Sequence, residues 1–205
     1  MKEKRLIKKM EYSAGIVSKL FWFVEARETA KLLQNHTFEE IEKMAFEENI
    51  YQQNKQDRIR RVFNVIKNRL QILPEILLEE FAKTDVNSAK VILFIATIAT
   101  DQLLFEFVYE VYREKLRMND EKLEDKDFNV FFTNKINQSS KVAGWSDSAI
   151  AKMKATYARY MYEAGLLDGT KDNKKICKVY IEPEIREALL VNNMEKYLYA
   201  MTGER

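Results

Sequence analysis

The sequence has few of the residues that interrupt helices. Only five glycines and two prolines occur in 205 residues, well below the usual shares of roughly 7% and 5%. The glycines are also scattered singly, so the chain lacks the glycine-rich loops that bind nucleotide phosphates. This composition predicts a mainly α fold and gives no sign of a nucleotide-dependent enzyme.

Residues suited to metal, redox and nucleophilic chemistry are equally scarce. There is one histidine, His36, and one cysteine, Cys177, too few for a zinc set or an intramolecular disulfide. Lysines flank Cys177, which could lower the pKa of its thiol, but no histidine lies near it in sequence to act as a base. We expect no catalytic residue, no metal ligand, no cofactor and no small-molecule substrate.

Long uncharged runs are absent too. The longest in the apolar centre runs from Val91 to Thr100, about half of the roughly 20 residues that a membrane helix needs. The basic N-terminus is not followed by the apolar run of a signal peptide. With an unpaired thiol, which fits a reducing compartment, these features predict a cytoplasmic protein without a membrane partner.

Charge is divided along the chain although the net charge is only +2. Residues 52–70 carry six basic side chains and one acidic side chain, and residues 128–180 carry nine and four. Residues 71–127 are acidic, with Glu106 and Glu110 one helical turn apart in an apolar stretch. We interpret those two as members of a structural ion pair with Arg113 or Lys115, with metal ligation as the alternative.

Helical patterns fill the first part of the chain. Thr37 and Glu40 have the spacing of a capping box that opens a short helix. The segment 55–73 places apolar residues on one stripe, and its other faces are basic. A helix is expected over 75–83, and the apolar stretch from Ser88 predicts two helices or one bent helix. The charged segment 117–128 predicts a boundary between a helical-bundle domain, residues 1–118, and a second domain, residues 119–205.

The second domain has the order of elements of a winged helix-turn-helix. A helix over about 126–141 is followed by a turn at Gly144, a helix capped by Ser146 or Asp147, and a stop at Gly165. The sequence DGTKDNKK then predicts a basic loop, ICKVYI a short β wing, and 184–198 a final helix. We therefore expect a mainly α protein whose C-terminal unit is winged helix-turn-helix-like.

Three basic surfaces are candidates for contact with double-stranded DNA, because cationic and short polar side chains on an exposed helix suit phosphates and base edges. They are the predicted helix in segment 55–73, the second helix of the winged unit with the residues just before it, and the wing. The candidate residues are Lys55, Arg58, Arg61, Lys67, Asn68, Arg69, Lys141, Lys152, Lys154, Thr156, Arg159, Lys171, Lys174, Lys175 and Lys178.

Winged helices also serve as protein–protein modules, and basic faces are often only solvated. A scaffold that grips another protein through an apolar groove and the acidic residues 71–127 is therefore a second hypothesis.

Five strings carry a resemblance to a known family. They are YSAG from Tyr12, TDQLLFEFVYEVYREKL from Thr100, FFTNKINQSSKVAGWSD from Phe131, EAGLL from Glu163 and IEPEIREAL from Ile181. In this order they resemble the BrxA family of BREX bacteriophage-exclusion systems. The resemblance implies a small, mostly helical accessory protein of a phage-defence operon, with a NusB-like helical part and double-stranded DNA and other BREX proteins as partners. RNA binding through the NusB-like part is a third hypothesis.

Overall fold

The computed structural model of the chain describes residues 11–170 and 172–204. These residues form a mainly helical protein with one small antiparallel sheet near the C-terminus, which confirms the expected fold class. A 3₁₀-helix and a π-helical turn accompany the α-helices. The elements are the 3₁₀-helix Ala14–Ser18, α1 Phe23–Leu32, α2 Phe38–Glu47, α3 Gln56–Leu70, α4 Glu75–Lys83, α5 Val86–Ala99, α6 Gln102–Phe107, the π-turn Val108–Tyr112, α7 Arg113–Arg117, α8 Asp125–Gln138, α9 Ser140–Ala143, α10 Asp147–Glu163, β1 Leu167–Thr170, β2 Asn173–Ile176, α11 Pro183–Val191 and α12 Glu195–Thr202.

Helix α5 is the centre of the N-terminal bundle. Nearly all of its residues from Ser88 onward are buried, and α1, α3 and α4 pack around it. Asp85 caps the helix by accepting from the N–H groups of Asn87 and Ser88, which satisfies two donors that have no partner within the helix. The predicted capping box of α2 is confirmed, with Thr37 and Glu40 bonded reciprocally.

The apolar stretch from Ser88 is two helices that meet at a sharp bend. The axes of Val86–Ala99 and Gln102–Arg117 differ by 113°. Asp101 causes the restart, because it leaves helical geometry and its side chain accepts from the N–H of Leu104. Within the described residues no single helix is long and apolar enough to cross a membrane, and only this bent pair meets the length and composition criteria when joined.

The C-terminal unit has the predicted order of helix, turn, long helix and β element, but the first predicted helix, about 126–141, ends at Gln138 and the short helix α9 follows it. Ser146 caps α10 through the N–H of Ala149, and Gly165 ends it with a φ of 80°. The core face of α10 contains Ile150, Met153 and Tyr157, all buried.

The predicted position of the wing strand is wrong. The hairpin pairs Leu167 with Ile176, so the loop sequence DGTKDNKK supplies most of both strands, and ICKVYI leaves the sheet after its first residue. Gly169 makes this possible, since its φ is 96° and an added Cβ would lie 2.4 Å from the carbonyl oxygen of Asn173. The predicted final helix is also two helices, α11 and α12, separated where Asn193 adopts a φ of 57°.

One hydrophobic cluster runs through both parts of the chain, from Ile16 to Met201. The predicted domain boundary at 118/119 falls in the loop between α7 and α8, and the core continues across it. Phe107 of α6 lies at this crossing, stacked on Phe128 with ring centroids 4.6 Å apart and edge-on to Phe131 at 5.2 Å. The aromatic side chains therefore join α6 to α8.

We expect Phe107→Ala to lower the free energy of unfolding by about 3–5 kcal/mol, because it removes the buried ring that packs on Phe128 and Phe131 and leaves a cavity there. Urea denaturation followed by circular dichroism measures this. Val191→Ala is the control, since Val191 is 68% exposed and should change stability by less than about 0.5 kcal/mol. A loss below about 1 kcal/mol for Phe107→Ala would contradict a shared core.

Candidate nucleic-acid interface

Most of the predicted DNA contacts are at the surface. Eight of the side chains are exposed: Lys55, Arg58, Arg61, Asn68, Lys141, Lys152, Lys175 and Lys178. Lys67, Lys154 and Arg159 are half-buried. Lys171 lies outside the described residues.

Three of the predicted contacts are buried, and their assignment to a DNA-facing surface is wrong in this structure. Arg69 is 2% exposed, Thr156 5% and Lys174 8%. Thr156 is buried because α10 packs against the 3₁₀-helix on the face next to it. Lys174 is buried because its side chain folds back on the protein, where its Nζ lies 2.7 Å from Asp125 Oδ1. A side chain that packs inside the protein cannot contact a phosphate without rearrangement.

Helix α3 presents the clearest group of free cations. Its core stripe contains Ile59, Val62 and Ile66, which turns Arg58 and Arg61 to solvent. Neither of these arginine side chains has a hydrogen bond or salt bridge with residues 11–170 or 172–204, and the same is true of Lys55, the N-cap residue. The first two turns of α3 are therefore strongly basic.

Helix α10 has a basic edge next to the 3₁₀-helix. Arg159 donates from Nη2 to the carbonyl oxygen of Lys19 at 3.0 Å, and its Nε lies 3.9 Å from Glu163. Lys152, two turns earlier, is exposed and has no side-chain partner among the described residues. This edge is cationic, and only part of its charge is neutralised.

A groove of about 640 Å³ borders this edge, between α8, α10 and the hairpin, and Arg159 and Glu163 are among its lining residues. Its floor is formed by Phe128, Ala151 and Ala155. The lysines on its rim are engaged, since Lys154 donates to Asn129 at 2.6 Å and Lys174 bonds Asp125. The groove is mainly apolar and carries both signs of charge, so it is poorly matched to a phosphate backbone.

Three other predicted contacts also have partners. Lys67 lies 3.6 Å from Glu39, Lys141 lies 2.7 Å from Glu11, and Lys178 donates to Asn119 at 3.3 Å. Lys175 is exposed and has no side-chain partner within the described residues. Of the hairpin lysines that the structure describes, Lys175 is therefore the one most available to a polyanion.

Arg69 has a structural role that the charge pattern concealed. Its Nη1 donates to the carbonyl oxygens of Leu20 and Phe21 at 3.1 and 2.7 Å, and its Nη2 donates to Tyr160 Oη at 3.2 Å. Burial lowers the pKa of Arg69, although the nearby Tyr160 opposes the shift. The signal was present in the spacing, because Arg69 follows Ile66 by three residues and so lies beside the core stripe.

A second buried cation, Lys135, explains the acidic pair in the apolar stretch. Its Nζ lies 2.6 Å from Glu106 and 2.7 Å from Glu110, and Tyr12 also donates to Glu106. The interpretation as a structural ion pair is therefore confirmed, but the partner is neither Arg113 nor Lys115. Burial raises the pKa of Glu106, and hydrogen bonds from Gln102, Lys135 and Tyr12 outweigh it, so that the net shift is downward.

Cys177, the one cysteine, follows directly after β2 and is half-buried. Burial raises the pKa of the Cys177 thiol, more than the charge of Lys175 lowers it. Among the residues that the structure describes, no group of three or more His, Cys, Asp or Glu side chains could hold a metal ion.

The family model named BrxA matches residues 10–193. The chain belongs to the BrxA family. A "BREX protein BrxA" from Bacillus cereus (strain H3081.97) is 35% identical over 201 residues, covering 97% of this chain and all of the relative. A protein of the same name from Escherichia coli O9:H4 (strain HS) is 26% identical over 182 residues, covering 88% of this chain and 85% of the relative.

The fold of this BrxA-family chain also occurs in a solved structure. It matches the crystal structure of an uncharacterized protein from Magnetospirillum magneticum with a TM-score of 0.80 and 24% sequence identity. The match covers 95% of this chain and all of the Magnetospirillum chain. At that identity the likeness shows the fold alone.

Asp101 lies at the bend between α5 and α6, near the buried Arg69. Its carboxyl group gives a pH-dependent test of the packing at this bend in the BrxA-family chain. Burial raises the pKa of Asp101 to about 6, against the opposing effects of the Leu104 N–H and of Lys19 and Arg69. A raised carboxyl pKa means that the protonated form favours folding, and that this stability is lost as the pH rises through about 6.

We therefore expect Asp101→Asn, which keeps a capping side chain, to raise the free energy of unfolding at pH 7.5 by roughly 1–3 kcal/mol, from a pKa shift of about two units. The gain should disappear near pH 4, where Asp101 is already protonated when folded. Urea denaturation at both pH values measures it. Asp85→Asn is the matched control, because the pKa of that exposed cap is lowered and no gain is expected. An equal effect of Asp101→Asn at both pH values would refute the titration.

Proposed function

We propose that this BrxA-family protein is a cytoplasmic, non-enzymatic accessory protein of a BREX phage-defence system that binds double-stranded DNA. The observation that carries the proposal is a set of cations in the first two turns of α3 that have no side-chain partner within residues 11–170 and 172–204, namely Lys55, Arg58 and Arg61. Lys152 on α10 and Lys175 on the hairpin add to it.

The stability of the fold does not explain why basic side chains lie at the N-terminus of α3. The N-terminus of a helix carries a partial positive charge, so acidic side chains stabilise it and basic side chains do not. Lys55, as N-cap, makes no side-chain hydrogen bond to the helix, and the like charges of Arg58 and Arg61 repel each other. A polyanion would relieve both effects, because phosphates favour helix N-termini and basic side chains.

The form of the C-terminal unit supports the same partner. The order α8, α9, α10 and hairpin is that of a winged helix-turn-helix, in which the long helix and the wing both approach DNA. Likeness of fold does not by itself give function, so the free cations carry the proposal and the fold only adds to it.

The first experiment is a fluorescence-anisotropy titration of the full chain with a duplex of about 20 base pairs and an RNA hairpin of equal length, at about 50 and 200 mM salt. Tight duplex binding that weakens steeply with salt is the expected result. Preference for the hairpin would favour the RNA hypothesis, and no binding of either at low salt would favour the scaffold hypothesis, in which other BREX proteins are the partners.

We expect the double variant Arg58→Ala/Arg61→Ala to bind the duplex at least tenfold more weakly, since charge-assisted hydrogen bonds contribute about 1.5–3 kcal/mol each. Its salt dependence should fall by about two units of slope, because about two phosphates lose their partners. Titrations at four salt concentrations measure both quantities.

Arg60→Ala is the matched control for this variant. It removes one positive charge from the same helix, where the double variant removes two, but Arg60 lies over the ring of Phe46 and within 4.0 Å of Asp57, on the side of α3 that faces α2. It should reduce affinity less than threefold and leave the slope within about half a unit of the parent's. If Arg60→Ala instead lost half or more of the binding free energy and of the slope that the double variant loses, only total charge would matter, and α3 would be excluded as a defined contact.

A further inference from the structure

We infer that the groove between α1 and α4 is a docking site for a basic, amphipathic helix of a partner protein. The groove has a volume of about 430 Å³, and its lining includes Ala30 and Leu33 at the end of α1 and Glu75, Leu78 and Glu79 of α4. None of its lining residues belongs to α3, α10 or the hairpin. The inference therefore goes beyond the proposed function and does not depend on it.

The two helices run in opposite directions and leave the groove open between them. Phe23 at the start of α1 packs edge-on against Phe81 near the end of α4, with ring centroids 6.3 Å apart. Leu33, directly after α1, lines the groove together with Glu75 at the start of α4. Each helix has nine or ten residues, so the groove is roughly 15 Å long. A third helix of three or four turns fits along such a groove.

Apolar side chains are only partly covered at this groove. Leu33 and Leu78 pack against the core but remain half-buried. Two isoleucines nearby are more exposed, Ile72 in the turn before α4 at 45% and Ile76 in its first turn at 50%. Single exposed apolar side chains are ordinary, but large ones grouped at a concave surface are typical of protein-binding sites. Covering them with an apolar helix face is favourable.

The charge of the groove is negative. Residues 71–85 carry four acidic side chains and one basic side chain. Glu75 has no side-chain hydrogen bond or salt bridge with residues 11–170 or 172–204. Glu79 lies 3.9 Å from Lys83, whose Nζ is closer to Glu80 at 3.0 Å.

The fold explains only part of this charge. Glu75 lies in the first turn of α4, where the partial positive charge of the helix N-terminus stabilises an acid. Glu79 is one turn further on, beyond the reach of that effect, and two like charges one turn apart repel each other. Basic side chains on a bound partner would relieve the repulsion between Glu75 and Glu79.

The charge also decides the class of partner. Carboxylates without cations around them repel the phosphates of nucleic acids and of anionic lipid surfaces. A protein helix with lysines or arginines beside an apolar row satisfies both features of the groove. Its apolar row covers Leu33, Leu78 and Ile76 in the manner of other helix-in-groove complexes, and its basic side chains meet Glu75 and Glu79.

The test uses the full chain and a fluorescein-labelled peptide of about 12 residues, with leucines on one helical face and lysines elsewhere. We expect anisotropy titration to give a micromolar Kd, and amide chemical-shift changes confined to α1, α4 and the turn before α4. A peptide of the same composition, with the leucines spread around the helix, should bind at least about fivefold more weakly. A peptide with glutamates in place of the lysines should not bind.

We expect Glu75→Lys/Glu79→Lys to weaken binding of the lysine–leucine peptide at least tenfold, because attraction becomes repulsion. Ile76→Ser should weaken it about threefold or more, through the lost apolar contact. Glu47→Lys/Glu48→Lys is the matched control, since it makes the same change in net charge at two exposed acids at the end of α2. It should change the affinity less than about twofold. Circular dichroism melting of each variant confirms folding.

Absence of peptide binding at about 200 μM, or chemical-shift changes centred outside α1 and α4, would overturn the inference. Equal losses for the two charge-reversal variants, or equal binding of the two leucine arrangements, would also overturn it, because total charge alone would then account for the binding. Duplex titration of the same variants tests the proposed function separately, since none of these outcomes involves DNA.

Discussion

A buried guanidinium joins three parts of the chain that are far apart in sequence. Arg69 comes from α3, its two carbonyl acceptors come from the segment before α1, and Tyr160 comes from α10. Its hydrogen bonds go to neutral oxygens, with no carboxylate as a direct partner. Removing a charge from water costs several kcal/mol, and such a group persists only where its donors are satisfied. The junction is therefore specific, because another arrangement of the three parts would leave the charge unsatisfied.

The same junction supports an unfavourable backbone conformation. Trp22, directly after the two acceptor carbonyls, has a φ of 49°, a region that bulky residues rarely adopt. The conformation lets the chain turn into α1 while Phe21 and Trp22 remain buried. The hydrogen bonds from Arg69 to the carbonyl oxygens of Leu20 and Phe21 fix the backbone directly before Trp22. From that position the chain can turn into α1 only if Trp22 adopts its positive φ.

How far the sequence predicts the structure depends on what decides each element. Helix α3 and the cap at Thr37 follow from local spacing and local hydrogen bonds, so their pattern is enough. The hairpin is different, because Leu167 pairs with Ile176 across residues typical of turns, and only the close approach at Gly169 makes the strands possible. The bend at Asp101 is also not decided by periodicity, since apolar residues occur on all sides of α5.

The same difference between local patterns and distant contacts decides how well the candidate site could be predicted. The charge content identified α3 and α10 correctly as basic. It could not separate basic side chains that bond to other parts of the protein from basic side chains that face solvent. Lys174 and Arg69 are of the first kind, and the acceptors that hold them, Asp125 and two backbone carbonyls, are distant in sequence. The spacing places Arg69 beside the core stripe of α3, but a single sequence does not show which distant acceptors hold Arg69 or Lys174.

The same distinction between paired and solvent-facing cations bears on the proposed DNA contact of the C-terminal unit. A winged helix-turn-helix usually relies on the exposed face of its long helix and on its wing. Here one face of α10 is covered by the 3₁₀-helix, another borders an apolar groove, and Lys174 of the hairpin is paired with Asp125. What remains is a narrow cationic edge with Lys152 and Arg159, too short to neutralise many phosphates. That edge therefore offers a polyanion less unpaired charge than the first two turns of α3 do, because Arg159 is paired with Glu163.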